Sequence, residues 1–139
     1  MITNMADLVL ADGQATPVNT TFSPASRVAE NMARWIARTV NGGIPMGAYV
    51  CQFSVKEPKD RAPASLTRNW LKLTEPELDL TVPGAPKLLE TGFVEITVAF
   101  PQSWTDARKK NLLARARNLL SLGSATALGD NIVLGQTPY

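Results

Sequence analysis

Phe93-Val94-Glu95-Ile96-Thr97-Val98-Ala99-Phe100 alternates with period two, then runs through Pro101 into a helical pattern that lasts to Leu122. In an extended chain Val94, Ile96, Val98 and Phe100 point one way and Phe93, Glu95, Thr97 and Ala99 the other. Only the first set asks for a core. A two-faced strand followed at once by an amphipathic helix predicts an α+β fold, its sheet covered on one side and open on the other. Ser103-Trp104-Thr105-Asp106 has capping-box spacing, with Ser103 accepting from the Asp106 amide and the Asp106 carboxylate reaching back. Leu112, Leu113, Ala116, Leu119 and Leu120 form the helical stripe, Gly123 is expected to end it, and Ala125 to Leu134 reads as a second, shorter helix or turn.

Upstream, Tyr49 to Lys56 alternates again, placing Tyr49, Cys51, Phe53 and Val55 on one face and Val50, Gln52, Ser54 and Lys56 on the other. Trp70 to Thr74 reads as a third such strand, with Leu71 and Leu73 inward and Trp70, Lys72 and Thr74 outward. Between these two, Glu57 to Leu66 is an exposed loop. From Glu75 to Gly92, Pro76, Pro83, Gly84 and Pro86 predict a long connection rather than a regular element. At the start of the chain, Asp7-Leu8-Val9-Leu10 and Thr16 to Phe22 flank Asp12-Gly13, a hairpin signal, with Pro17 suited to an edge or a bulge. Val28, Met32, Trp35, Ile36 and Val40 recur at helical spacing, so local propensity predicts a helix there. Asn41-Gly42-Gly43-Ile44-Pro45 follows as a turn.

The chain has 139 residues, 45% apolar and 19% charged, which suits one domain spanning residues 1–139. No stretch is long and apolar enough to span a bilayer, so no membrane partner is expected. Met1 to Asp7 lacks the basic start and apolar run of a secretory signal. The single cysteine, Cys51, excludes an intrachain disulfide, and a reducing compartment is expected. With no histidine and one cysteine, the usual transition-metal sites and the Ser/His and Cys/His nucleophile pairs cannot be built. Glu77, Asp79 and Glu90 show no spacing that marks a catalytic pair. Neither a cofactor nor a metal is expected, and no catalytic residue is assigned. The formal charge of +2 is too small to announce a polyanion partner, so any such contact depends on where the charges lie.

Three strands together display Gln52, Ser54 and Lys56, then Trp70, Lys72 and Thr74, then Phe93, Glu95 and Thr97. Lysines neutralise phosphates, aromatic rings stack on unpaired bases, and hydroxyls and amides bond base edges, so this face suits RNA. The competing reading is an ordinary solvated sheet face. Arg108, Lys109, Lys110, Arg115 and Arg117 read as a solvated helix surface, and Cys51 as a small core residue. One long helix is sparse cover for a broad sheet, so helices from a second copy are expected to complete the layer.

In the order of these parts the chain resembles the coat proteins of the small single-stranded RNA bacteriophages, the leviviruses and their relatives. The resemblance rests on several stretches taken together. They are the N-terminal hairpin, Val28-Ala29-Glu30 with Trp35-Ile36, Tyr49 to Lys56, Arg68 to Lys72, Phe93 to Phe100 leading to Thr105-Asp106, and the closing Pro138-Tyr139. It implies an N-terminal β-hairpin, a five-stranded antiparallel sheet, and two C-terminal helices interlocked with those of a partner in an obligate homodimer. It further implies an icosahedral shell built from such dimers. The inner sheet face would meet packaged single-stranded viral RNA and bind an operator hairpin, repressing translation. The virion is then the place of the protein, assembled in the bacterial host cytoplasm.

Carried over by position, the resemblance makes Gln52, Ser54, Lys56, Trp70, Lys72, Thr74, Phe93, Glu95 and Thr97 RNA-facing. Ser54 offers a hydroxyl to a base, Lys72 a cation to phosphate, and Phe93 a ring for stacking. Gln52 and Trp70 stand where small hydroxyl residues often line an adenine pocket. The resemblance also makes Val28 to Val40 largely a strand, against local propensity. It places the Glu75 to Gly92 loop at the shell's symmetry axes, without a cysteine to link it in disulfide rings. The alternative is a small dimeric α+β enzyme or ligand-binding domain that uses the same sheet as a pocket floor.

Overall fold

The computed structural model describes residues 6–29 and 31–138. Six antiparallel strands form one sheet in the order β1-β2-β3-β4-β5-β6, each paired with its neighbour in sequence. They are β1 (Leu8–Ala11), β2 (Asn19–Ala29), β3 (Met32–Ala37), β4 (Tyr49–Lys56), β5 (Leu66–Asp79) and β6 (Lys87–Pro101), followed by α1 (Asp106–Leu119) and α2 (Gly129–Leu134). The α+β class holds, with one strand more than the expected five. The hairpin strand β2 is long enough to pair with β1 through Asn19 to Phe22 and then with β3 from Ser23 onward. Asp12 closes the hairpin loop, its carboxylate accepting from the amides of Gln14 and Val18. Pro17 lies in that loop, outside the ladder.

The helix expected over Val28 to Val40 is absent. Val28 and Ala29 end β2, and Met32 to Ala37 form β3, in register with β4 from Met32↔Ser54 to Ala37↔Tyr49. Pairing to neighbours on both sides overrides a local 3.6-residue coincidence, as the resemblance implied. Glu30, Met1 to Met5 and Tyr139, on which parts of the sequence reading fall, lie outside the described residues.

The long loop expected from Glu75 to Gly92 is mostly ladder. β5 and β6 continue as a two-stranded ribbon to Asp79↔Lys87, with an irregularity between Glu77 and Leu78. The connection shrinks to residues 80–86. Pro76 is tolerated for a clear reason. Its carbonyl accepts from Asn41 Nδ2 at 2.9 Å, on the side away from β6, and its missing N–H lies on that same side. Pairing of β4 with β5 has ended by Thr74, so no ladder bond is lost there.

Asn41 also donates to the Gly47 carbonyl at 2.8 Å and sits at φ 49, which lets the chain turn sharply between β3 and β4. A Cβ on Gly47 would stand 2.6 Å from Leu78 and 2.7 Å from Asn41, so this close approach requires glycine.

Phe22, Trp35, Ala37 and Cys51 form the buried core, with Leu8, Ala33, Tyr49, Phe53, Leu71 and Leu73 packed against them. The register aligns Trp35, Cys51, Leu73 and Val94 in one row across four strands, and Ala33, Phe53, Leu71 and Ile96 in the next. Cover is uneven along these rows. The Trp35 indole is buried and donates to the Ala6 carbonyl at 2.9 Å, whereas Val94 is 54% exposed.

Helix α1 starts at Thr105 rather than Ser103: the Thr105 hydroxyl accepts from the Arg108 amide. The helix closes with Leu120 as its C-cap, and Gly123 takes its left-handed conformation beyond it. Gly129 sits against the Leu120 and Ser121 carbonyls so closely that a side chain would overlap them, and Asp130 accepts from the Gly123 amide with both oxygens. The helices therefore brace each other. α1 buries none of its residues and packs no face on its own sheet; Leu112, Leu113, Leu119 and Leu120 are 39–48% exposed. On α2, Ile132, Val133 and Leu134 are exposed still further.

Candidate nucleic-acid interface

Opposite the core rows, the same register gathers the residues read as outward. Arg34, Gln52, Lys72 and Glu95 stand in one row, Met32, Ser54, Trp70 and Thr97 in the next, and Ile36, Val50, Thr74 and Phe93 on the other side. Lys56 pairs with Arg68 one step further out. All the positions assigned from sequence thus share one face. None is buried, and neither helix covers them.

Contacts within the face are local and directional. The Lys72 ammonium lies 4.8 Å from the centre of the Phe93 ring, a cation–π contact. The Trp70 indole N–H donates to the Glu95 carboxylate. Glu95 is therefore engaged by an indole, and Lys72 by a ring. Among the described residues the one ion pair within 4.0 Å is Lys109–Asp106, at 3.7 Å on α1. The cations Arg34, Lys56, Arg68 and Lys72 consequently carry charge that no carboxylate of the described chain neutralises. Phe93 is 63% exposed, a large ring with one side occupied by the Lys72 cation.

The positions assigned from sequence leave out Arg34, Met32 and Ile36, because local spacing there suggests a helix and the strand that the resemblance implies came without face positions. The signal that could have found them is the alternation Ala33, Trp35, Ala37 against Arg34, Ile36, Arg38. Arg68, which lies between the expected loop and the expected strand and is assigned to neither, pairs with Lys56 in the β4–β5 ladder. Basic residues on α1 lie apart from this face: Arg108 stacks over Trp104 at 4.3 Å and Lys109 pairs with Asp106. Cys51 is buried on the core side, which raises its thiol pKa by desolvation. Among the described residues no group of histidine, cysteine and carboxylate side chains could hold a metal ion. Among the described residues no helix is long and apolar enough to cross a membrane.

An antiparallel meander with a polar, cationic face on one side and two helices following its last strand is an α+β architecture with its functional surface on an open sheet rather than in an enclosed pocket. Residues 3–139 match the family Levivirus coat protein, and the chain belongs to that family. It is a structural capsid protein, not an enzyme. Solved structures agree. The virus-like particle of bacteriophage NT-214 is 27% identical, with 99% of this chain and 100% of that chain covered and a TM-score of 0.80. That of bacteriophage ESE058 is 22% identical, covering 98% and 99% with a TM-score of 0.80. A bacteriophage RNA-binding coat protein dimer, unassembled, is 18% identical, covering 97% and 98% with a TM-score of 0.63. Among curated proteins no sequence matches significantly.

Proposed function

We propose that this coat protein forms an obligate homodimer by exchanging helices, that dimers assemble into an icosahedral shell, and that the Gln52–Lys72–Glu95 face binds packaged single-stranded RNA. The observation that carries the proposal is a double mismatch in the isolated chain. Apolar side chains at Val94, Ile132, Val133 and Leu134 are exposed on the core side and on the helices, while unneutralised cations occupy the opposite face. A second copy's α1 and α2 would cover the first set, since an amphipathic helix and a bare apolar row each lack what the other supplies. RNA phosphates answer the second set, and Phe93 and Trp70 offer rings to unpaired bases.

The names of similar structures, virus-like particles and an RNA-binding dimer, support both halves. An RNA hairpin held on this face would also be masked from ribosomes, which makes translational repression a second use of the surface. Assembly around RNA would take place in the bacterial host cytoplasm and leave the protein in the virion.

Electron microscopy of the expressed full chain, with nuclease treatment of co-purifying nucleic acid, tests the reading. Closed particles that hold nuclease-protected RNA are expected. A discrete small oligomer free of nucleic acid would overturn it.

A further inference from the structure

Beside the polar rows, a groove of about 390 Å³ opens on the same face of the sheet. Ile36, Val50 and Thr74 line it from the sheet, Met46 from the turn joining β3 to β4, and Arg34 and Arg38 from β3 and the residue after it. Of these, Val50 and Thr74 are read onto this face from the sequence, and Thr74 alone is among the positions assigned to RNA. Three features narrow what the groove can hold.

Its lining contains two guanidinium groups and no carboxylate. The nearby ribbon carboxylates Glu75, Glu77 and Glu90 stand at alternate register positions to Thr74, Pro76 and Thr91, which puts them on the opposite face. Arg34 Nε is buried with no hydrogen-bond partner among the described residues, so the fold leaves donor capacity of this guanidinium unused. The floor is apolar and the mouth is cationic, a combination suited to a ligand with a flat unsaturated body and an anionic end.

We infer that this groove seats one unpaired nucleotide of the bound RNA, its base against Ile36, Val50 and Met46 and its phosphate on Arg34 and Arg38. The inference rests on the proposed RNA-binding role of the sheet face and adds a discrete subsite to it. RNA is favoured over an acidic peptide because the groove is continuous with the cationic row through Arg34, which aligns with Gln52 and Lys72. A base also fills a flat apolar floor that a short carboxylate side chain would leave empty. The turn of Asn41 to Gly47, pinned to β5 by the Asn41 bond to Pro76, makes one wall rigid before any ligand arrives.

The test uses the full-length chain kept unassembled at low concentration and a fluorescein-labelled octauridylate, read by anisotropy over a salt series. Arg34→Gln and Arg38→Gln are each expected to weaken binding about tenfold and to lower the log–log salt slope by about one unit. Ala48→Trp, which fills the groove from its lining, should weaken binding with an unchanged salt slope. Ultraviolet cross-linking to the same probe, followed by trypsin, should mark the peptide from Thr39 to Lys56. Arg34→Lys, which keeps the charge without the fork, should fall between wild type and Arg34→Gln and shows that the site tolerates substitution.

If Lys72→Gln weakens binding while all the groove variants bind as wild type, the groove inference falls and the face reading stands. If Lys72→Gln and the groove variants all leave binding unchanged, the face reading falls with it. If the groove variants instead block particle formation with RNA affinity intact, the groove holds a protein segment and the inference is overturned.

Discussion

Lys72 and Cys51 show how alternation along strands assigns opposite tasks to residues one position apart in register. Lys72 is held over Phe93 rather than in an ion pair, so its charge stays available to a phosphate. Lys72→Ala should weaken RNA binding and lower the salt slope by about one unit; filter-binding curves that coincide with wild type across salt would refute this. Cys51 pairs with Leu73, a neighbour of Lys72, yet points to the core. Burial raises its thiol pKa, so the folded chain holds the neutral, unreactive form. Alkylation by iodoacetamide near pH 8 should be slow in the folded protein and rapid in urea, as followed by mass spectrometry. The sign of the linkage follows: above the unfolded thiol pKa, ionisation of the unfolded chain draws the equilibrium away from the fold, so this contribution is lost as pH rises.

At the scale of elements, the parts legible in the sequence were those whose pattern is purely local. Tyr49 to Lys56 and Phe93 to Phe100 alternate cleanly, and both are strands with the faces that alternation assigns. All the candidate face residues followed, because their placement needs only parity along a strand. Two features depended on partners elsewhere in the chain instead, and a third on local cap geometry. β3 mimics a helix, since Met32, Trp35 and Ile36 fall at helical spacing by chance, and only β4 beside it decides the matter. The outer half of the β5–β6 ribbon hid behind Pro76, whose tolerance depends on Asn41, 35 residues away. The helix cap lies two residues later than the capping-box spacing suggests, because Thr105 has extended backbone and its hydroxyl accepts from the amide three residues on.

Two substitutions probe these elements. Asn41→Ala removes both side-chain bonds that tie the turn to Gly47 and Pro76, and should cost about 1–3 kcal/mol in urea unfolding. Thr105→Ala removes the α1 cap and should cost about 1 kcal/mol by the same measurement.

For the whole molecule, the decisive quantity is apolar surface that one chain cannot hide. Ile132, Val133 and Leu134 are 63%, 74% and 66% exposed, and burying such side chains stabilises by about 1.5–3 kcal/mol each. Ile132→Asp with Val133→Asp should therefore stop dimerisation without unfolding the sheet. Sedimentation would show monomers, and far-ultraviolet circular dichroism would retain its strand signal; dimers at wild-type concentration would contradict the helix-exchange proposal.

Among the described residues each strand after β1 pairs with the one made just before it, and α1 and α2 follow the last strand. Nearest-neighbour pairing keeps loop closures short, which favours quick formation of the sheet as the chain leaves the ribosome. The sticky segments are synthesised only afterward. If the helices grip a second copy as proposed, a nascent chain has a finished platform before it gains the means to do so, which spares it from tangling with half-made siblings.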